Sequence, residues 1–136
     1  MISNEKVTFY GARQSDIGAL LRINQLNGES YDKNARNRLK AIINHPNVGA
    51  LLLIKNQAIA GYLVFNSNMN GDLTLVEWYI HPEFDVLEDV WLKIASYNKL
   101  YYFVPKNKIN QEKPYLKKYG FKRIGTYKEG YQFRKS

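Results

Sequence analysis

The sequence has no cysteine, which excludes disulfides, thiolate zinc sites and cysteine nucleophiles together. Histidine is scarce as well: His45 and His81 are the only two, which leaves little material for a metal site, and no metal is expected. The prolines interrupt segments rather than fill them. Pro46 and Pro105 stand where a helical and a strand pattern end, and Pro82 follows His81 in a turn. No apolar run approaches the roughly 20 residues that cross a bilayer, so no membrane partner is expected. The opening residues, MISNEKVTFY, lack a basic region followed by an apolar stretch, so no signal peptide is read and a cytoplasmic location is the expectation.

What is present is enough for an ordinary core. In 136 residues, 45% are hydrophobic and 14% aromatic, a size and composition that fold as one domain without covalent staples. The net charge of +8 is concentrated at one end. Residues 99–136 carry nine Lys and two Arg against Glu112 and Glu129, whereas residues 1–98 are close to neutral. A lysine surface interleaved with tyrosines suits an acidic protein, a nucleic acid or a phosphorylated ligand, and it also suits plain solubility.

Periodicity orders the chain. Lys6–Ala12 reads as a strand, and Ser15 as the cap of a helix that buries Ile17, Leu20, Leu21 and Ile23 or Asn24 and ends at Gly28. Asp32 caps a second helix to about Ile43, with Ala35, Leu39, Ile42 and Ile43 on one face and Lys33, Arg36, Arg38 and Lys40 on the other. Val48–Lys55 is a near-continuous apolar strand, Asn56-Gln57 a tight turn, and Ala58–Phe65 the returning strand, in which Gly61 marks a bulge or a close contact. A polar loop, Asn66–Asp72, leads to the strand Leu73–Ile80 and a helix over about Val86–Tyr97. Leu100–Val104 is a further strand, Gln111–Tyr119 a short helix with Pro114 in its first turn, and a hairpin about Glu129-Gly130 closes the chain. The order β-α-α-β-β-β-α-β-α-β-β gives an α/β (α+β) fold: a mixed, mostly antiparallel sheet flanked by helices.

Three phrases on these elements carry a family resemblance: AIAGYLVF after a polar turn, VEWYIHPEF running from strand into loop, and YLKKYGFKRIGTY near the end. In this sequence order they resemble the GNAT superfamily of N-acetyltransferases over about Val7–Arg134. The resemblance implies acetyl-CoA as acetyl donor and an amine acceptor, either a small molecule or a protein N-terminus or lysine. It implies Glu77 as general base, acting through a water on the acceptor nitrogen. The other reading of Glu77 is a half-exposed strand glutamate paired with a neighbouring lysine. The position of the family's general-acid tyrosine holds Leu116. Tyr115 is one residue off, a turn of about 100° on a helix, so it substitutes only on an irregular helix and otherwise packs, as does Tyr119. Contacts to the cofactor are implied for Tyr79 and Ile80 on that strand and for Asn107 and Asn110 in the loop after the strand Leu100–Val104. His81 reads as a turn residue.

The resemblance fails at one place. The family follows the HPEF-like turn with a basic residue and glycines whose backbone N–H groups close on a pyrophosphate. This chain has Asp85, Val86, Leu87, Glu88, Asp89 and Val90 instead. Like charge near a pyrophosphate costs about 1 kcal/mol per contact even in water, and each lost hydrogen bond to a charged group about 1.5–3 kcal/mol. Binding in the family's usual pose is therefore not expected. The tail YLKKYGFKRIGTYKEGYQF is also similar to the end of a small GNAT-like internal virion protein of short-tailed phages, which would place the chain in a host cytoplasm or a virion. Three readings stay open: a divergent acetyltransferase, a non-catalytic GNAT-fold binding or structural protein, and a nucleic-acid-binding module using residues 99–135.

Overall fold

A computed structural model describes residues 6–28, 33–68 and 70–136. The elements are β1 (Thr8–Gly11), a 3-10 turn (Gln14–Asp16), α1 (Ile17–Leu26), α2 (Lys33–Asn44), β2 (Val48–Lys55), β3 (Ala58–Ser67) and β4 (Leu73–Ile80). They continue with α3 (Leu87–Ala95), β5 (Leu100–Pro105), α4 (Ile109–Lys118), β6 (Phe121–Thr126) and β7 (Gly130–Lys135). The helices and strands follow the expected order. The strands form one seven-stranded sheet in the order β1-β2-β3-β4-β5-β7-β6. β1 with β2, β5 with β7 and β6 with β7 are antiparallel, and β4 with β5 is parallel through Leu73–Leu100, Thr74–Tyr101 and Leu75–Tyr102.

Contacts divide the chain into two compact units, one up to Phe65 together with Glu77–Val86, the other Asn66–Val76 with Leu87–Ser136. In the first, α1 and α2 bury Ile17, Leu20, Leu21, Ile23 and Leu39 against Ala50, Leu52, Tyr62 and Val64. Ala35, Ile42 and Ile43 pack against that core, as the 3.6-residue period requires. In the second, Val90, Trp91 and Ile94 of α3 are buried, as are Leu100, Tyr102 and Val104 of β5, Leu116 of α4, and Phe121 and Phe133 of the hairpin.

Turn chemistry follows backbone need. Asn56 and Gln57 both take positive φ, 53° and 63°, the two-residue turn whose twist matches antiparallel strands. Gly120 ends α4 at φ 83°, where a side chain would be strained. Gly61 answers a close approach: a Cβ there would lie 2.6 Å from the Tyr79 carbonyl oxygen and 3.3 Å from Ile80 Cα. The Gly61→Ala variant is expected to lose about 1–3 kcal/mol, read as a lower midpoint in chemical denaturation. An unchanged midpoint would mean that β3 and β4 do not pack this closely.

Several expected boundaries shift for physical reasons. Ser15 does not cap a helix. It sits inside the 3-10 turn, and the Asp16 carboxylate accepts the Arg13 N–H at 2.8 Å. The cap expected at Asp32 lies outside the described residues. α3 stops at Ala95, where the Ser96 hydroxyl donates to the Lys93 carbonyl at 2.6 Å. α4 begins at Ile109, two residues earlier than expected, so Pro114 lies in its second turn rather than its first. The missing N–H of Pro114 forfeits one bond to the preceding turn, and the buried Leu116 and Glu112 hold the helix across it.

Glu112 is the least expected occupant of the interior. It is buried, and its carboxylate accepts a hydrogen bond from the Tyr102 hydroxyl. Burial raises its pKa above the ordinary 4.5, while the Tyr102 hydrogen bond and the nearby Lys108 work to lower it. A raised carboxyl means that, just above its ordinary range, the folded chain holds a proton that the unfolded chain has lost. Stability contributed by this group therefore falls as pH rises through that interval. Glu112→Gln is expected to flatten this segment of the melting temperature against pH; a profile identical to the parent's would assign the slope to another group.

Candidate functional site

β4 is the strand that presents chemistry in the first unit. Glu77 lies on it, with a side chain that is 14% exposed. Its Oε1 pairs with the Arg38 guanidinium from α2, and its Oε2 accepts the Tyr62 hydroxyl from β3 at 3.4 Å. Behind Tyr62, the side-chain amide of Asn24 on α1 donates to the phenol oxygen. Asn24 and Tyr62 are both buried, so a polar chain of four side chains runs from the α1 core to the β4 surface. A buried polar group without partners costs free energy, and each member here supplies the next with one.

Electrostatics follow from the placement. Burial first, then the neighbouring Glu77 carboxylate and Tyr79, push the Tyr62 phenol well above its ordinary value, so it stays a neutral donor. Burial acts to lower the pKa of Arg38, but its hydrogen bond to Glu77 and the carboxylate's charge outweigh that and leave it raised. Arg38 is therefore a permanent cation. The strand glutamate is thus neither half-exposed nor paired with a lysine: its partner comes from α2.

The other expected positions separate into groups. Tyr79 packs its ring against Tyr62 at 5.7 Å, which puts it beside the Glu77 network. The Ile80 carbonyl accepts the Asn27 side-chain amide at 2.9 Å. The His81 ring nitrogen accepts the Glu83 N–H at 3.2 Å, and the ring meets Phe84 edge-on at 5.3 Å, which makes His81 a turn residue. In the second unit, Tyr115 stacks on Trp91 at 5.4 Å with planes 6° apart. Asn107 is exposed in the turn before α4, and Asn110 is exposed in the first turn of that helix.

Tyr119 does more than pack. It stacks parallel to Trp91 at 6.3 Å, and its hydroxyl donates to Glu88 Oε2 at 2.7 Å, while Lys118 Nζ lies 3.6 Å from Glu88 Oε1. The bond to Glu88, then burial, raise the Tyr119 phenol, and the Glu88 charge raises Lys118. The first turn of α3 is therefore occupied by its own acids, Glu88 and Asp89. Val86 and Val90 are buried at 1% exposure each. The residues of this turn do not fit a pyrophosphate in the glycine-loop manner, because an incoming phosphate meets the Glu88 carboxylate, already paired with Tyr119 and Lys118, and Asp89 beside it.

No family model matches the sequence, and no curated protein matches it. Solved structures do match. An acetyltransferase of the GNAT family from Bacillus cereus superposes with a TM-score of 0.75 at 14% identity, over 96% of this chain and 97% of that one. A PaiA N-acetyltransferase from Thermoplasma acidophilum, in complex with coenzyme A, gives 0.71 at 14% identity over 96% and 99%. A variant of the spermidine N-acetyltransferase from Vibrio cholerae gives 0.72 at 13% identity over 94% and 92%. The chain has the GNAT acetyltransferase fold. Asn24, Tyr62 and Arg38, which the structure joins to Glu77, carry no functional expectation in the sequence. A signal for the first was visible: an asparagine at a core position of α1 needs a buried partner. Among the described residues, no helix is long and apolar enough to cross a membrane, and no three metal-ligating side chains gather.

Proposed function

We propose that this GNAT-fold chain acetylates an amine at Glu77, drawing on acetyl-CoA held without the usual glycine loop. The observation that supports this reading most is the Asn24–Tyr62–Glu77–Arg38 chain. Titratable groups shifted by burial and by specific partners cluster at functional sites more often than elsewhere. Arg38 holds one carboxylate oxygen of Glu77, and the long 3.4 Å bond from Tyr62 leaves the other the less engaged. That second oxygen takes the proton from the acceptor nitrogen, directly or through one water. Arg38 orients the carboxylate, and Tyr62 with Asn24 keeps it from turning inward. The ion pair is neutral as a unit, so an acceptor amine meets no net positive charge there. Tyr115 is assigned to packing rather than to acid catalysis, because its ring is committed to the stack on Trp91.

A second reading is favoured by the Glu88–Tyr119–Lys118 cluster, which closes the α3 turn with internal bonds: a non-catalytic GNAT-fold binding or structural protein. Consumption of acetyl-CoA in the presence of spermidine, or of a lysine-rich peptide with a free N-terminus, separates the two. Acceptor-dependent thiol release is the result expected of the first reading. Release no faster than in buffer with both acceptors selects the second.

A further inference from the structure

The second unit has a hollow of about 590 Å³ between α4 and the β6–β7 hairpin, on the face of α4 turned away from Trp91. That is the size of a small-ligand site. Its floor is apolar, made by Leu116, Phe121 and Phe133. Its rim carries four cations, Lys113, Lys117, Lys122 and Arg123, and no acidic residue lines it. Among the described residues none of these four is seen paired with a carboxylate. Arg123 lies over the ring of Tyr131, 5.7 Å from its centroid, so a cation and an aromatic face share one wall. Asn110 adds a side-chain amide, both donor and acceptor, at the opening.

The spacing along α4 explains the arrangement. Ile109, Lys113, Leu116, Lys117 and Gly120 share one helical face, whereas Glu112, Tyr115 and Tyr119 turn toward β5 and α3. The carbonyl end of α4 has the wrong sign for an anion, so attraction must come from the side chains and will be screened by salt. An apolar floor beneath a cationic rim with a stacked Arg–Tyr wall is complementary to an anion that has a flat apolar body.

We propose that this hollow binds a nucleoside phosphate, the base against the Tyr131–Arg123 wall and the phosphates among Lys113, Lys117 and Lys122. The chemistry is the same whether the ligand is a free nucleotide or a nucleotide of a single strand. The proposal does not depend on acetyl transfer, and GDP, which is no part of coenzyme A, probes it separately.

Calorimetric titration of the full chain with GDP, guanosine and pyrophosphate is the test. GDP is expected to bind at least about tenfold more tightly than either fragment, because both the apolar and the charged parts contribute. Its affinity should fall as salt rises from about 50 to about 200 mM. The double variant Lys113→Glu/Lys122→Glu should weaken GDP about tenfold or more, while Lys40→Glu on α2, outside the lining, leaves it unchanged. Arg123→Gln, a milder surface change, should weaken GDP and narrow its margin over pyrophosphate. A short oligothymidylate bound more tightly than GDP and lost in the same double variant identifies a strand as the source; one bound no more tightly identifies the free nucleotide. GDP affinity equal in parent and double variant, or no greater than that of pyrophosphate, overturns the proposal.

Discussion

Replacing Glu77 by glutamine is expected to lower acetyl transfer about 10²–10⁴-fold, the usual contribution of a positioned general base, with the fold intact. The substitution keeps the shape and one acceptor oxygen for Arg38, so geometry is conserved while proton affinity is lost. The stability cost should stay within about 1–3 kcal/mol, because glutamine keeps an oxygen for Arg38, whose side chain is 45% exposed, while the replaced side chain is only 14% exposed. A loss in kcat with little change in KM for the amine marks a proton-transfer role. Arg38→Gln is the companion variant. It frees the carboxylate from its orienting partner, so it should reduce the rate less than Glu77→Gln does. Parent-like turnover in Glu77→Gln would remove Glu77 from the chemistry and leave the network a structural one.

Trp91→Ala is expected to destabilise the chain by about 3–5 kcal/mol, a large part of the roughly 5–15 kcal/mol that holds an ordinary domain folded. Trp91 is fully buried on α3 and is surrounded by aromatic rings. Tyr115 and Tyr119 of α4 stack on it, and Tyr102 of β5 and Phe121 of β6 meet it at 64° and 83°. Truncation would remove the largest apolar side chain of the second unit and strand four rings around a void. It would also loosen the Glu88–Tyr119 contact, since the Tyr119 ring is held flat by the same indole. Urea denaturation followed by circular dichroism reads the loss, and Trp91→Phe should recover most of it. A change below about 1 kcal/mol would mean that the stack does not organise this unit.

The order of elements could be read from the chain because each carries its own local signal. The apolar run at Val48–Lys55, the Asn56-Gln57 turn and the glycines after α1 and α4 act within a few residues of themselves. The candidate site could be read only in part. Glu77 stood out through its place on the strand that runs into HPEF, but Arg38 is 39 residues away from it and Tyr62 is 15. Pairings of that span depend on how α2 and β3 come to lie beside β4, which no local pattern encodes. Glu112 escaped for the same reason: on the chain it is one acid among lysines, and only the packing of α4 on Tyr102 makes it buried. Gly61 was legible as an oddity within a strand, and the Tyr79 carbonyl beside it supplies the cause.

The proposed function rests on acetyl-CoA binding to a GNAT fold whose α3 turn presents Glu88 and Asp89. The most direct measurement is the melting temperature with and without acetyl-CoA at millimolar concentration. A ligand present at about ten times its dissociation constant stabilises the native state by about 1.4 kcal/mol, a rise of several degrees for a chain of this size. Such a rise, larger with acetyl-CoA than with an equal concentration of pyrophosphate, is the predicted result. A melting temperature that does not move would contradict acetyl transfer and leave the scaffold as a binding or structural module.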